Sequence, residues 1–148
     1  MTGSEMPTTR PRVTIADVEH ALRAVTRLLG DEFDVCCAST WDEGLKCLEE
    51  QRPHVAVVGY HFDNVRADRF VRHVRARSNA SELGVVVIRA VPALSSSFDE
   101  TETEKSYRQL GADVYMILDP ATGSENFSES SQRLRSAVWN LHKKLATR

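Results

Sequence analysis

No stretch of this sequence approaches the ~20 consecutive apolar residues that a membrane span requires. Its longest aliphatic runs are Val55–Val58 and Val85–Ile88. Met1 to Arg12 is polar, holds Pro7 and Pro11, and does not read as a signal peptide, so a cytoplasmic protein is expected. An excess of one charge sign is missing too. Nineteen Lys and Arg face 21 Asp and Glu, a formal net charge of −2, which predicts no nucleic-acid footprint. Cysteine is scarce: Cys36 and Cys37 are adjacent and Cys47 lies ten residues on, without a C-x-x-C pair or a histidine at metal spacing. All three are expected to be small apolar residues in a reducing cytosol. The sequence has no Gly-rich phosphate cradle, H-E-x-x-H, G-x-S-x-G or Walker pattern, and its five histidines are not paired at ligand spacing. Neither enzymatic activity nor a metal or cofactor is expected.

What is present is ordinary for one globular domain. The chain has 148 residues, 41% hydrophobic and 27% charged. Residues 1–11 read as a disordered arm and 12–146 as a single domain. Val13-Thr14-Ile15-Ala16 reads as a strand ending at Asp17. Val18, Leu22, Val25 and Leu29 then recur at helical spacing, with Gly30 as cap. Phe33–Ala38 reads as a second strand. Thr40 with Glu43 three residues on is a capping-box signal for a helix to about Gln51, with Leu45 and Leu48 inward. Val55–Val58 forms a third strand that stops at Gly59, and a helix is expected over Ala67–Ala76. Val85–Ile88 forms the fourth strand, Thr101–Leu110 the next helix and Val114–Leu118 the fifth strand. The last helix, Ser130–Leu145, carries Leu134, Val138, Leu141 and Leu145 on one stripe.

Near-continuous aliphatic strands alternating with helices predict an α/β fold with a parallel sheet covered on both faces. The expected form is the doubly wound, flavodoxin-like sheet of order 2-1-3-4-5 with five helices. Its ligand crevice lies at the carboxyl ends of the strands.

The order of three stretches resembles the receiver domain of bacterial response regulators (CheY-like). Gly111-Ala112-Asp113-Val114-Tyr115 is similar to that family's G-A-D-D-Y, and Arg52-Pro53-His54-Val55-Ala56-Val57-Val58 to its R-P-D-L-V-L-L. Val13–Asp17 resembles its first strand before paired acids. The resemblance spans Arg12 to Lys144. It implies Mg²⁺ held by two acids after the first strand and an aspartate after the third, which also takes the phosphoryl group. It further implies a hydroxyl residue after the fourth strand and a lysine after the fifth, a constellation that neutralises charge for in-line transfer.

The sequence departs from that constellation at nearly every position. Asp17 matches the first acid, but Val18 stands where the second would be, although Glu19 follows. Gly59 stands where the acceptor would be, Arg89 at the hydroxyl position, and Leu118 or Asp119 at the lysine position. One aspartate beside a valine and a glycine is a poor magnesium site. His61 and Asp63 lie beyond the strand end and off register as substitute acceptors. A pseudo-receiver lacking the acceptor Asp is therefore expected. Arg89 could pair with Asp17 across the degenerate pocket, or stand exposed with its stem on the sheet edge.

Tyr115 falls where receivers carry a switch aromatic. It reads either as a binding hot spot or as a packed ring with its hydroxyl in water. Arg66, Arg69, Arg72, Arg75 and Arg77, with His73, give the helix after the third strand a basic character. Without interleaved aromatics, a solvated face is the expectation. The connection from Arg89 to Glu100 is longer than its receiver counterpart and reads as a lid, an epitope or disorder. Its acids Asp99, Glu100, Glu102 and Glu104 suit a helix start.

The expected function is a phosphorylation-independent signalling module. It would bind a protein partner through the fourth major helix, fifth strand and last helix, with a homodimer as one form. Neither nucleic acid nor membrane is expected as a partner. A receiver phosphorylated at an unusual site and a flavodoxin-like small-ligand binder using the degraded pocket are the alternatives.

Overall fold

The computed structural model describes residues 10–79, 82–90 and 100–146. The expected arm over residues 1–11 falls almost wholly outside these, as does most of the long connection between Arg89 and Glu100. Among the described residues the elements run β1 (Arg12–Ala16), α1 (Glu19–Leu29), β2 (Asp34–Ala38), α2 (Trp41–Gln51), β3 (Val55–Gly59), α3 (Phe62–Val65), α4 (Ala67–Arg77), β4 (Gly84–Ala90), α5 (Glu100–Leu110), β5 (Val114–Leu118) and α6 (Phe127–Ala146).

The five strands form one parallel sheet in the order β2-β1-β3-β4-β5. That is the expected doubly wound order. The sixth helix, the single turn α3, was not expected, because nothing in a four-residue element gives a helical period.

Strand alternation sends successive side chains to opposite faces, and each face has its own core. Val13, Ile15, Val55, Val57, Val86, Ile88, Met116 and Leu118 pack against Val25, Leu28 and Leu29 of α1 and Leu134, Val138 and Leu141 of α6. Ala16, Ala56, Val58, Val85, Val87 and Tyr115 pack on the other face against Phe70, Val71 and Val74 of α4 and Tyr107 of α5. Below, these are the α1/α6 face and the α4/α5 face.

Two local readings need correction. The fully buried residues of α2 are Gly44 and Cys47, while Leu45 and Leu48 lie only half-buried beside the core. Gly44 is there because the Phe70 ring would lie 2.8 Å from a Cβ at this position. The second correction concerns sulfur. Cys36 and Cys47 form a disulfide across a Cα–Cα distance of 6.2 Å, whereas Cys37 is free and exposed. The period of two explains the split. Cys36, level with Thr14, turns toward α2, and Cys37, level with Ile15, turns toward Thr26 of α1.

Thr40 caps α2 as read, its Oγ1 accepting from Glu43 N at 3.2 Å, while Glu43 Oε1 accepts from the N–H of Ser39, one residue before the cap, at 2.9 Å. At the amino-terminal edge of the sheet, Arg75 ties α4 to the entries of β4 and β5. Its guanidinium donates to the carbonyls of Gly111 and Leu83 and to Asp113 Oδ2, which also accepts from Val85 N. Among the described residues no helix is long and apolar enough to cross a membrane.

Candidate functional site

The carboxyl ends of β1, β3, β4 and β5 carry Asp17, Gly59, Arg89 and Leu118. Asp17 continues the α1/α6 parity of Val13 and Ile15, and its N–H still donates to Ala38 O at 3.1 Å. Its side chain is 4% exposed. Oδ1 accepts from Val18 N at 2.7 Å. Burial pushes its pKa up to about 6, against the Val18 hydrogen bond and the charge of His20, which both favour the carboxylate.

Gly59 follows the same parity through Val55 and Val57, so a side chain there would project toward Asp17. An ideal Cβ on Gly59 would fall on the carboxyl carbon and both oxygens of Asp17. The space of any side chain at position 59 is thus filled by the neighbouring acid. Val18, at the second acid position, is half-buried as the N-cap of α1 and has no oxygen to offer a cation.

Arg89 follows neither of its two sequence readings. It lies within β4 rather than after it, and it follows Val85 and Val87 to the α4/α5 face, away from Asp17. There Nη1 donates to Glu100 Oε2 at 2.7 Å, and the guanidinium carbon lies 5.7 Å from the Tyr60 ring centroid. Of the two readings of Arg89, the pair with Asp17 is not formed, because strand parity separates the two residues. Arg89 is also not an exposed arginine, since the pair with Glu100 is largely shielded.

Tyr115 points into the same pocket. Its ring is 7% exposed and stacked on Tyr107, with centroids 5.9 Å apart and planes 15° apart. Its hydroxyl donates to Glu100 Oε1 at 2.5 Å. Burial, then the Glu100 hydrogen bond, raises its pKa well above the usual phenol value. Tyr115 is therefore neither a surface side chain nor a ring with its hydroxyl in water. Glu100, the first residue of α5, holds Arg89 with one oxygen and Tyr115 with the other. The sequence placed Glu100 only as a helix-dipole acid, and it carries no local signal for these two contacts, which come from residues 11 and 15 positions away.

The lysine position offers no cation. Leu118 is fully buried in the α1/α6 core. Asp119 is buried as well, and it organises its own turn: Oδ1 accepts from Ala121 N at 3.1 Å and Oδ2 from Ser124 Oγ at 2.7 Å. Asp63 sits in a left-handed turn and pairs with Arg66. His61 is exposed and meets the Tyr60 ring edge-on, with centroids 5.1 Å apart. Neither is placed at the Gly59 position.

The donor set does not fit Mg²⁺. The ion needs several hard oxygen ligands in octahedral array, and Asp17 is the single acid at the position of the receiver triad. Among the described residues no cluster of three His, Cys, Asp or Glu could hold a metal.

No protein-family model and no curated protein matches the sequence. Solved structures do. The receiver domain of response regulator 1452 from Francisella superposes with a TM-score of 0.66 at 20% identity, covering 90% of this chain and 98% of that one. A response regulator from Thermotoga maritima gives 0.66 at 17% identity, covering 92% and 99%. A CheY-like receiver domain protein from Methanospirillum hungatei gives 0.65 at 14%, covering 93% and 99%. The chain has the receiver-domain fold.

Proposed function

We propose that this chain is a phosphorylation-independent receiver-like module of bacterial signal transduction, acting through protein contacts. Its folded unit is residues 12–146. The observation that carries this reading is the position of the Asp17 carboxyl group, which fills the place of the acceptor side chain over Gly59. A phosphoryl group would have no carboxylate to join there, and Arg89 and Leu118 replace the hydroxyl and the cation that would receive its oxygens.

The second support is that the tyrosine at the switch position is already held inward. Glu100 binds both the Arg89 guanidinium and the Tyr115 hydroxyl, so protein groups fix an arrangement that phosphorylation sets in active receivers. Signalling would then depend on the presence of the protein, not on its modification. The α5–β5–α6 face is the proposed partner surface, and a homodimer through it is one form it could take.

The test is incubation with a small phosphodonor and Mg²⁺ followed by intact-mass measurement. An unchanged mass is expected; a stoichiometric phosphoryl adduct on any residue overturns the reading.

A further inference from the structure

The helices differ in how they are anchored. α1 buries Val25, Leu28 and Leu29, α4 buries Phe70, Val71 and Val74, and α6 buries Leu134, Val138 and Leu141. α2 buries only Gly44 and Cys47, and Gly44 has no side chain. Cys47 is thus the single fully buried side chain of α2, and its sulfur is bonded to Cys36 of β2.

The other attachments of α2 lie toward its ends or its rim. Trp41 meets the Phe70 ring edge-on at 5.2 Å. At the far end the Gln51 side chain accepts from Thr14 Oγ1 and donates to Asp34 O, both at 3.1 Å. Leu45 and Leu48 are half-buried. A helix of 11 residues is marginal in water by itself, so tertiary attachment decides whether α2 stays in place. The covalent attachment sits at its middle.

That bond is placed where a thiol can reach it. β2 is an edge strand of the sheet, and Cys36 is half-buried there while Cys47 is 6% exposed. Cys37 is the neighbouring free thiol, but strand parity turns it to the opposite face, toward Thr26 of α1. It does not supply the attacking sulfur, so the reductant comes from outside the chain. A thiolate RS⁻ attacks Cys36 Sγ, forming a mixed disulfide and releasing Cys47 as thiolate. A second thiolate attacks the R sulfur, releasing RSSR and the Cys36 thiolate. Two electrons pass from two RSH to the protein, and RSSR reverses the step.

What α2 covers gives the bond a consequence. At Gly44 the helix backbone runs so close to the α4/α5 face that a Cβ would lie 2.8 Å from the Phe70 ring and 3.5 Å from that of Phe62. These two rings meet at 4.9 Å, and both residues are fully buried.

We infer that the Cys36–Cys47 bond is a reversible redox latch on α2, opened by a small thiol and closed by the matching disulfide, and that its opening uncovers the Phe62–Phe70 surface. The opening is local: α1, α4 and α6 keep their own buried anchors when the latch is reduced. The latch stands on the packing of α2 and not on the state of the phosphorylation pocket, so a phosphoryl adduct would remove the pseudo-receiver reading and leave this one in place.

The test treats the full chain, wild type and Cys37→Ala side by side, with oxidised glutathione and then with dithiothreitol. After each step the native protein is labelled with N-ethylmaleimide and weighed intact. In Cys37→Ala no label is expected after oxidation and two after reduction, on Cys36 and Cys47. Between 0 and ~1 M urea the labelling rate of reduced Cys47 should change by less than about twofold, whereas labelling that waits on global unfolding would rise by roughly tenfold. Fluorescence of 1-anilinonaphthalene-8-sulfonate, which reads exposed apolar surface, should at least about double on reduction and return on reoxidation, in both proteins. Two labels persisting after oxidised glutathione, Cys47 labelling that tracks global unfolding, or unchanged dye fluorescence each overturns the inference.

Discussion

The carboxyl group of Asp17 occupies the volume in which a side chain on Gly59 would begin. Both residues follow the α1/α6 parity of their strands, so they meet at the sheet end and compete for one space. Restoring an acceptor by Gly59→Asp alone therefore has to displace Asp17 and break its hydrogen bond to Val18. A loss of about 1–3 kcal/mol in urea unfolding is expected, the range for overpacking a filled site. Combining it with Asp17→Ala should recover at least ~1 kcal/mol of that loss. Strictly additive effects would show that the two do not share the space.

The buried Asp17 also sets a pH dependence. Its folded pKa of about 6 lies above the unfolded value, so the native state takes up the proton first as pH falls. Stability from this group is fully present below about pH 4 and is lost as pH rises through 6. His54 works in the reverse sense. Burial, then the charges of Arg12 and His142, lowers its pKa to about 4, so it removes stability as pH falls from 6.5 toward 4. The comparison of wild type with Asp17→Asn isolates the first effect. The variant should be more stable by roughly 3 kcal/mol near pH 8, an advantage that fades below about pH 4. A constant difference across that range would contradict it.

Glu100 is the hub of the opposite face. Thermal unfolding of Arg89→Ala, Glu100→Ala and the double variant should give a coupling of about 1–2 kcal/mol, as for a shielded, charge-assisted pair. Arg89→Ala with Asp17→Ala should be additive within ~0.5 kcal/mol. Coupling in the second cycle, or none in the first, would reassign the arginine.

The Cys36–Cys47 crosslink closes a short loop from β2 to α2. Loop-closure entropy for about 12 residues gives roughly 3 kcal/mol. Dithiothreitol, or Cys47→Ala, should lower Tm by about 5–10 °C at this chain length. Under non-reducing conditions one free thiol should titrate in the native protein, belonging to Cys37. An unchanged Tm on reduction would show that the bond contributes nothing.

The scaffold was legible because its signals are local and periodic. Val55–Val58 and Val85–Ile88 read as buried strands, Thr40 and Glu43 as a helix start, and the alternation as a parallel sheet, all as found. The site was only half legible. Asp17, Gly59, Arg89 and Leu118 were placed correctly at strand ends, but a common strand end was taken for a common crevice. Counting by twos along Val85, Val87 and Arg89 would have sent the arginine to the other face. The same count along Cys36 and Cys37 would have parted the two thiols. What no count could supply was Glu100, whose two contacts come from residues 11 and 15 positions away. Tertiary packing alone brings it there. The left-handed turn at Asp63–Val65 was illegible for a different reason: valine is among the last residues that local preference would place in it.

Asp113 and Gly111 belong to the stretch that most resembles a receiver, yet their work is done at the far edge of the sheet, under Arg75. Gly111 is bare because the arginine stem lies against it, and Asp113 anchors both the guanidinium and the start of β4. Such a clasp is indifferent to whether any reaction takes place at the other end. The architecture is thus held by its fastenings at one end of the sheet, and residues at the other end can differ while the frame stays the same.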